Sequence, residues 1–201
     1  ERANVVFVAM GRYGGRECSY ASDADVIALH EAVGGASDAE AAASATTIVN
    51  RVKNLLGSAT NQLGIVVDLD LRPEGKNGPM SRTIESHRDY AQRWASTWER
   101  QAAVRARPIG EGSLADQARE LFAELAYGGV SEADVRDIRL LKARMENERL
   151  PRGIEPARHV KLGPGGLTDV EWTIQLIQMR AGLHNPALRT PSTTQAILSA
   201  Q

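Results

Sequence analysis

Apolar residues cluster early in the chain. Val5 to Met10 (VVFVAM) is β-branched and aromatic, and glycines follow at Gly11, Gly14 and Gly15, so it predicts a strand ending in a turn. Ser22-Asp23-Ala24-Asp25 runs directly into Val26-Ile27-Ala28-Leu29, which predicts a second, buried strand. Gly34-Gly35 turns the chain, and Ser37-Asp38-Ala39-Glu40 has the spacing of a capping box. Ala45, Ile48, Val49, Val52, Leu55 and Leu56 then recur at helical spacing, with Gly57 placed to end the helix. Ile65 to Leu71 alternates again: Val67, Leu69 and Leu71 fall on one strand face, Asp68 and Asp70 on the other. Arg72 to Pro79 is rich in turn residues and reads as a loop.

From about Ser81 the strand signals vanish. Helical patterns follow one another, separated by loops at Pro108 to Gly112, Gly128-Gly129 and Pro151 to Pro164. Ser113 and Ser131 are placed as N-caps, each with an Asp three residues on. Val135, Ile138, Leu141 and Met145 share one helical face. Thr168-Asp169-Val170-Glu171 reads as a further capping box, with Leu167 and Trp172 as its hydrophobic staple and Val170, Ile174, Ile177 and Ala181 pointing inward. Trp94, Trp98 and Trp172 are expected to pack this helical part. The pattern predicts an α+β fold: a small mixed domain over residues 1–80 and a helical bundle over 81–201.

Composition narrows the function. The chain has 201 residues, 24% charged and 42% hydrophobic, as a globular protein does. Its net charge of −1 and 4% aromatic content argue against nucleic acid as a partner. Cys18 is alone, which excludes an internal disulfide and suits a cytoplasmic setting. No apolar stretch is long enough for a membrane span. The abrupt start at Glu1 and the stop inside an apparent helix at Gln201 predict a piece of a longer protein. His30, His87, His159 and His184 lack metal-ligand spacing.

The chemistry concentrates at residues 11–26. Residues two apart on a strand share a face, so Asp23 and Asp25 project side by side. Two carboxylates ~4 Å apart repel by about 4 kcal/mol at an effective dielectric near 20. A hard divalent cation with oxygen ligands removes that repulsion. The glycines ahead of them, Gly14 and Gly15, free the backbone to approach a phosphate and donate N–H groups to it. Asp68 or Asp70 supplies a third carboxylate from the later strand. Together these features predict a site for a metal-bound nucleoside triphosphate.

The residues Gly14-Gly15, Ser22-Asp23-Ala24-Asp25 and Asp68 resemble the nucleotidyltransferase superfamily that includes DNA polymerase β. More specifically, GRYGGRE, SDADV, VDLDLRPEGKNGP, STWERQAAVRAR and KLGPGGLTDVEW resemble a catalytic half of the bacterial glutamine synthetase adenylyltransferases. That resemblance covers nearly the whole chain. It implies a polymerase-β-like mixed sheet followed by a helical bundle, with Asp23, Asp25 and Asp68 holding two Mg²⁺ ions (or Mn²⁺) and ATP as substrate. Gly14, Gly15 and Ser22 would bind the triphosphate tail, with Arg72 a candidate phosphate contact. It further implies glutamine synthetase as the protein substrate, modified on a tyrosine. A nitrogen-signalling regulatory protein would act through parts outside this chain. Such enzymes have an adenylylating and a deadenylylating half, and Thr97 to Ala102 resembles the adenylylating one. Asp70 departs from the family, in which many relatives carry Arg; Asp68 is the position that aligns with the family aspartate.

Overall fold

A computed structural model describes residues 2–20, 22–57, 64–150 and 153–201. Its strands are β1 (Ala3–Ala9), β2 (Ala24–Ala32), β3 (Val67–Asp68) and β4 (Arg107–Ile109). They form one mixed sheet in the order β3-β2-β1-β4. β1 pairs antiparallel with both β2 and β4, while β2 pairs parallel with β3. The helices are α1 (Gly11–Gly14), α2 (Asp38–Gly57), α3 (Ile84–Trp94), α4 (Thr97–Ala103), α5 (Ser113–Tyr127), α6 (Glu132–Glu148), α7 (Leu167–Ala181) and α8 (Thr193–Ser199). The architecture is α+β, as the sequence pattern predicts.

The sheet is covered on both faces because its strands alternate apolar residues to each side. Val6 and Val8 of β1 and Ile27 and Leu29 of β2 join a core with Val104 and α5 residues Leu114, Ala118, Leu121 and Phe122. Val26 and Ala28 face the other way, against Val49 of α2 together with Val67 and Leu69. α5 is the common wall between the sheet and the helices that follow. α2 starts as expected: Glu40 accepts hydrogen bonds from the Ser37 backbone N–H and hydroxyl, each 3.0 Å long.

Several expectations are corrected. Strands do not cease after Ser81, since β4 returns to pair Phe7 with Ile109 and Ala9 with Arg107. The expected strand from Ile65 to Leu71 is paired only at Val67–Asp68, after which the chain turns. Ser131 does cap α6 in a capping box with Asp134, but Gly112 takes the N-cap of α5, where φ is 108°, and Ser113 is already helical. At α7 the N-cap is Gly166 and no side chain caps it. The Thr168 hydroxyl instead donates to the Lys161 carbonyl at 2.6 Å, and Asp169 pairs with Lys142. The inward face of α7 holds Thr168, Ile174, Gln175, Gln178 and Met179, leaving Val170 and Ile177 exposed. Trp94 and Trp98 are exposed as well, whereas Trp172 packs against the main core. Among the described residues no helix is long and apolar enough to cross a membrane.

Candidate active site

The site forms where β1 ends and β2 begins. Met10 N–H donates to the Asp25 carbonyl at 2.8 Å, which ties the turn of α1 to the start of β2. Gly11 has φ 50°, and a methyl group on it would lie 2.5 Å from Asp25 Oδ2. Only glycine lets the Asp25 carboxylate rest against the α1 turn. Ser22 Oγ accepts from the Ser19 N–H at 2.9 Å and lies 3.0 Å from Ser19 Oγ, closing the loop that leads into Asp23.

The parallel pairing of β2 with β3 puts Asp25 in register with Asp68. Asp23 is exposed, whereas Asp25 and Asp68 are half-buried. Burial and then the negative charges of Asp68 and Asp23 push the Asp25 carboxyl up to about 6, with Lys161 pulling the other way. Asp70 does not share this position. Its N–H donates to Asp68 Oδ1 at 2.6 Å, and its carboxylate faces Lys76 at 3.4 Å and Arg72 at 3.8 Å. Because β3 stops at Asp68, the two-residue alternation that would align Asp70 with Asp68 is lost.

The remaining sequence-marked residues fall into place around this centre. Arg72 is buried and donates to the carbonyls of Leu69, Gly78 and Lys76, so it staples its own loop. Gly14 and Gly15 are buried against the segment joining α4 to β4. A methyl on Gly14 would lie 1.8 Å from the Arg105 carbonyl, and one on Gly15 2.6 Å from Arg105 Nη2. Their smallness therefore serves a close approach of protein to protein. Arg105 Nε donates to the Gly11 carbonyl at 3.1 Å, and Arg107 donates to those of Gly14 and Tyr13 at 2.9 and 3.0 Å. Arg105 Nη2 also meets Glu17 Oε2 at 2.6 Å, and Glu17 in turn accepts from Thr193 N–H at 2.7 Å. Burial would raise the Glu17 carboxyl, but the Arg105 charge and these hydrogen bonds outweigh it and lower it.

A polar cleft of about 630 Å³ opens over Asp23 and Asp25. Gly11, Arg12, Ser19 and Ser22 line it from the sheet side, and Arg149, Lys161, Glu171 and Gln175 from the helical side. A second cavity, of about 450 Å³, adjoins it at Ser19, Ser22 and Asp23; its walls are apolar, from Val5, Phe7, Tyr13, Val26 and Val67. Among the described residues no three carboxylate, thiol or imidazole side chains are drawn close enough to cage a metal unaided. The donor set still fits Mg²⁺, which binds through one or two carboxylates and completes its shell with water and substrate phosphates.

Residues 1–122 match the profile of a family described as glutamate-ammonia ligase adenylyltransferase. The chain belongs to that family. A bifunctional glutamine synthetase adenylyltransferase/adenylyl-removing enzyme of Cutibacterium acnes is 47% identical over 196 residues, covering 96% of this chain and 19% of its own length. Enzymes of the same description from Streptomyces coelicolor and Bifidobacterium longum subsp. infantis are 46% and 48% identical, over 96% and 97% of the chain. The chain thus spans about a fifth of the length of the curated relatives it matches.

The sequence pattern leaves the helical wall of the cleft largely unread. Glu171, read from the sequence as the end of a capping box, instead lines the cleft, while Asp169 is taken by Lys142 and by the Gly165 N–H at 2.6 Å. Gln175 carried no signal at all, because a glutamine on a helix looks like a solvated position. It is buried, with Oε1 accepting from Gln101 Nε2 at 2.8 Å.

Proposed function

We propose that this chain carries a metal-dependent adenylyl-transfer site, which moves AMP from ATP to a tyrosine hydroxyl of glutamine synthetase. Support comes first from the register that sets Asp25 beside Asp68 with Asp23 two residues away. The Asp25 carboxyl, pushed up by burial and then by the charges of Asp68 and Asp23, marks a poor resting place for negative charge and a good receptor for divalent charge. Asp23, Asp25 and Asp68 would hold Mg²⁺, which supplies Lewis-acid stabilisation of the reacting phosphate. Asp68, rather than Asp70, is the third ligand in this reading, because Asp70 is engaged by Lys76 and Arg72.

The other residues bind and orient. Ser22 and Ser19 present hydroxyls at the cleft floor to the triphosphate, and Gly11 keeps the Asp25 carboxylate seated. Gly14 and Gly15 act indirectly, by letting Arg105 fix the α1 turn. Arg72 likewise acts through its loop, whose carbonyls engage its guanidinium. Addition rather than removal of AMP is the direction inferred from the Thr97 to Ala102 block. The decisive binding test is calorimetry of ATP with and without Mg²⁺ on the chain and on Asp25→Asn. Affinity that depends on the metal in the first and disappears in the second supports the site; equal, metal-independent affinity in both refutes it.

A further inference from the structure

We propose that Lys161 is a catalytic residue of this site, its ammonium binding the pyrophosphate that leaves ATP; the inference rests on the adenylyl-transfer reading above. Lys161 stands on the loop before α7, in the wall of the cleft that faces the β2 carboxylates. Its backbone is pinned: the Lys161 carbonyl accepts from Thr168 N–H at 3.0 Å and Thr168 Oγ1 at 2.6 Å. The next residue, Leu162, donates its N–H to His159 Nδ1 at 2.9 Å.

The side chain, by contrast, has no ion pair among the described residues. Other cations near the site are occupied: Arg105 by Glu17, and Lys142 by Asp169 and Glu146. Arg12 and Arg149 also line the cleft; Lys161 differs from them in standing on the loop that Thr168 pins to the start of α7, in the same wall as Glu171 and Gln175. Gln175 lines the same wall, its oxygen accepting from Gln101 so that its amide nitrogen is left to donate elsewhere. A cation and an amide on one wall of a cleft that also holds the carboxylates form a receptor for phosphate oxygens.

The chemistry gives that cation a task. The tyrosine oxygen attacks the α-phosphorus and forms the new O–P bond. The bond from that phosphorus to the oxygen bridging the β-phosphate breaks, and its electron pair departs on pyrophosphate. The phenolic proton passes to water. Negative charge thus grows on the leaving group, where a fixed ammonium stabilises the transition state more than bound ATP.

The test uses calorimetry with Mg²⁺-ATP, Mg²⁺-pyrophosphate and AMP on the chain, Lys161→Met and Lys161→Arg, with AMP transfer to glutamine synthetase measured in parallel. Lys161 is exposed, so the methionine variant should melt with the parent chain. A charge-assisted contact predicts that Lys161→Met weakens ATP and pyrophosphate by about ten- to a hundredfold and lowers kcat, while AMP affinity stays within about twofold. Lys161→Arg should restore most of the pyrophosphate affinity. Unchanged pyrophosphate affinity in Lys161→Met, or an equal loss for AMP, overturns the role. If the parent chain itself binds neither ATP nor AMP, the adenylyl-transfer reading fails first and the role falls with it.

Discussion

Arg105 is where the sheet, the α1 turn and the last helix are locked together, so its removal should be felt in both stability and binding. Its side chain is 5% exposed and that of its partner Glu17 26%. Arg105→Met strips Glu17 of its countercharge and Gly11 of a donor, and also breaks the contact with Thr193. Removing one member of a buried pair costs about 3–5 kcal/mol. Glu17 is a quarter exposed and keeps the Thr193 N–H and the Ser192 hydroxyl, at 2.7 and 3.3 Å, which puts the loss near the lower end. A loss of about 3 kcal/mol lowers Tm by roughly 6–12 °C in a chain of this size. The Glu17 carboxyl is depressed in the folded chain, so its stabilisation is present above the ordinary carboxylate pKa and fades as pH falls through the folded value. Arg105→Met should remove that part of the acid sensitivity. Thermal melts of the parent, Arg105→Met, Glu17→Gln and the double variant, at neutral and acid pH, form the assay. The single losses should not add, because both break one contact. A Tm for Arg105→Met within about 2 °C of the parent, or strictly additive losses, would refute the interlock.

The other expectations are narrower. Asp68→Asn should abolish AMP transfer and Asp70→Asn reduce it modestly; assays ranking them in the opposite order would reassign the third ligand. Asp25→Asn should lose nucleotide binding yet stabilise the metal-free chain at pH 7, by about 1 kcal/mol once screening of this half-buried group is allowed for. The sign follows from a carboxyl raised to about 6, whose ionisation in the folded chain weakens folding as pH rises from 4 to 7; melts show whether it holds. His87 is buried and pushed down to about 4, by burial and then by the Arg82 charge, so stability should be complete above pH 6.5 and fall by about 3 kcal/mol toward pH 4. His87→Leu should flatten that slope in denaturant titrations. Gly14→Ala should fail to fold or lose several kcal/mol, since its methyl would lie 1.8 Å from a backbone carbonyl; a Tm close to the parent's would show that the α1–Arg105 contact can open.

The central carboxylates were legible in the sequence because strand periodicity and turn glycines are local signals. β1, β2 and α2 are equally local and emerge where the apolar runs and the helical spacing place them. What escaped depends on contacts distant in sequence. β4 is three residues with a proline at its centre, and only its pairing with β1 makes it a strand. The inward face of α7 holds Gln175 and Gln178 rather than Val170 and Ile177, because Gln101 and the carbonyls of Leu188 and Thr190 satisfy those amides. Apolar periodicity cannot anticipate a buried polar face whose partners lie on other elements. Gly14 and Gly15 stand out in the sequence as a phosphate-binding turn, but the close approach the fold shows at both is that of Arg105, some ninety residues away and invisible to local pattern.

The central claim is adenylyl transfer in the adding direction, and α-labelled ATP tests it most directly. The chain is incubated with Mg²⁺, unmodified glutamine synthetase and the labelled nucleotide, and in parallel with AMP-modified glutamine synthetase and inorganic phosphate. The account predicts label on a glutamine synthetase tyrosine with pyrophosphate released in the first reaction, and no ADP in the second. Absence of transferred label, or ADP formed only from the modified enzyme, would contradict it.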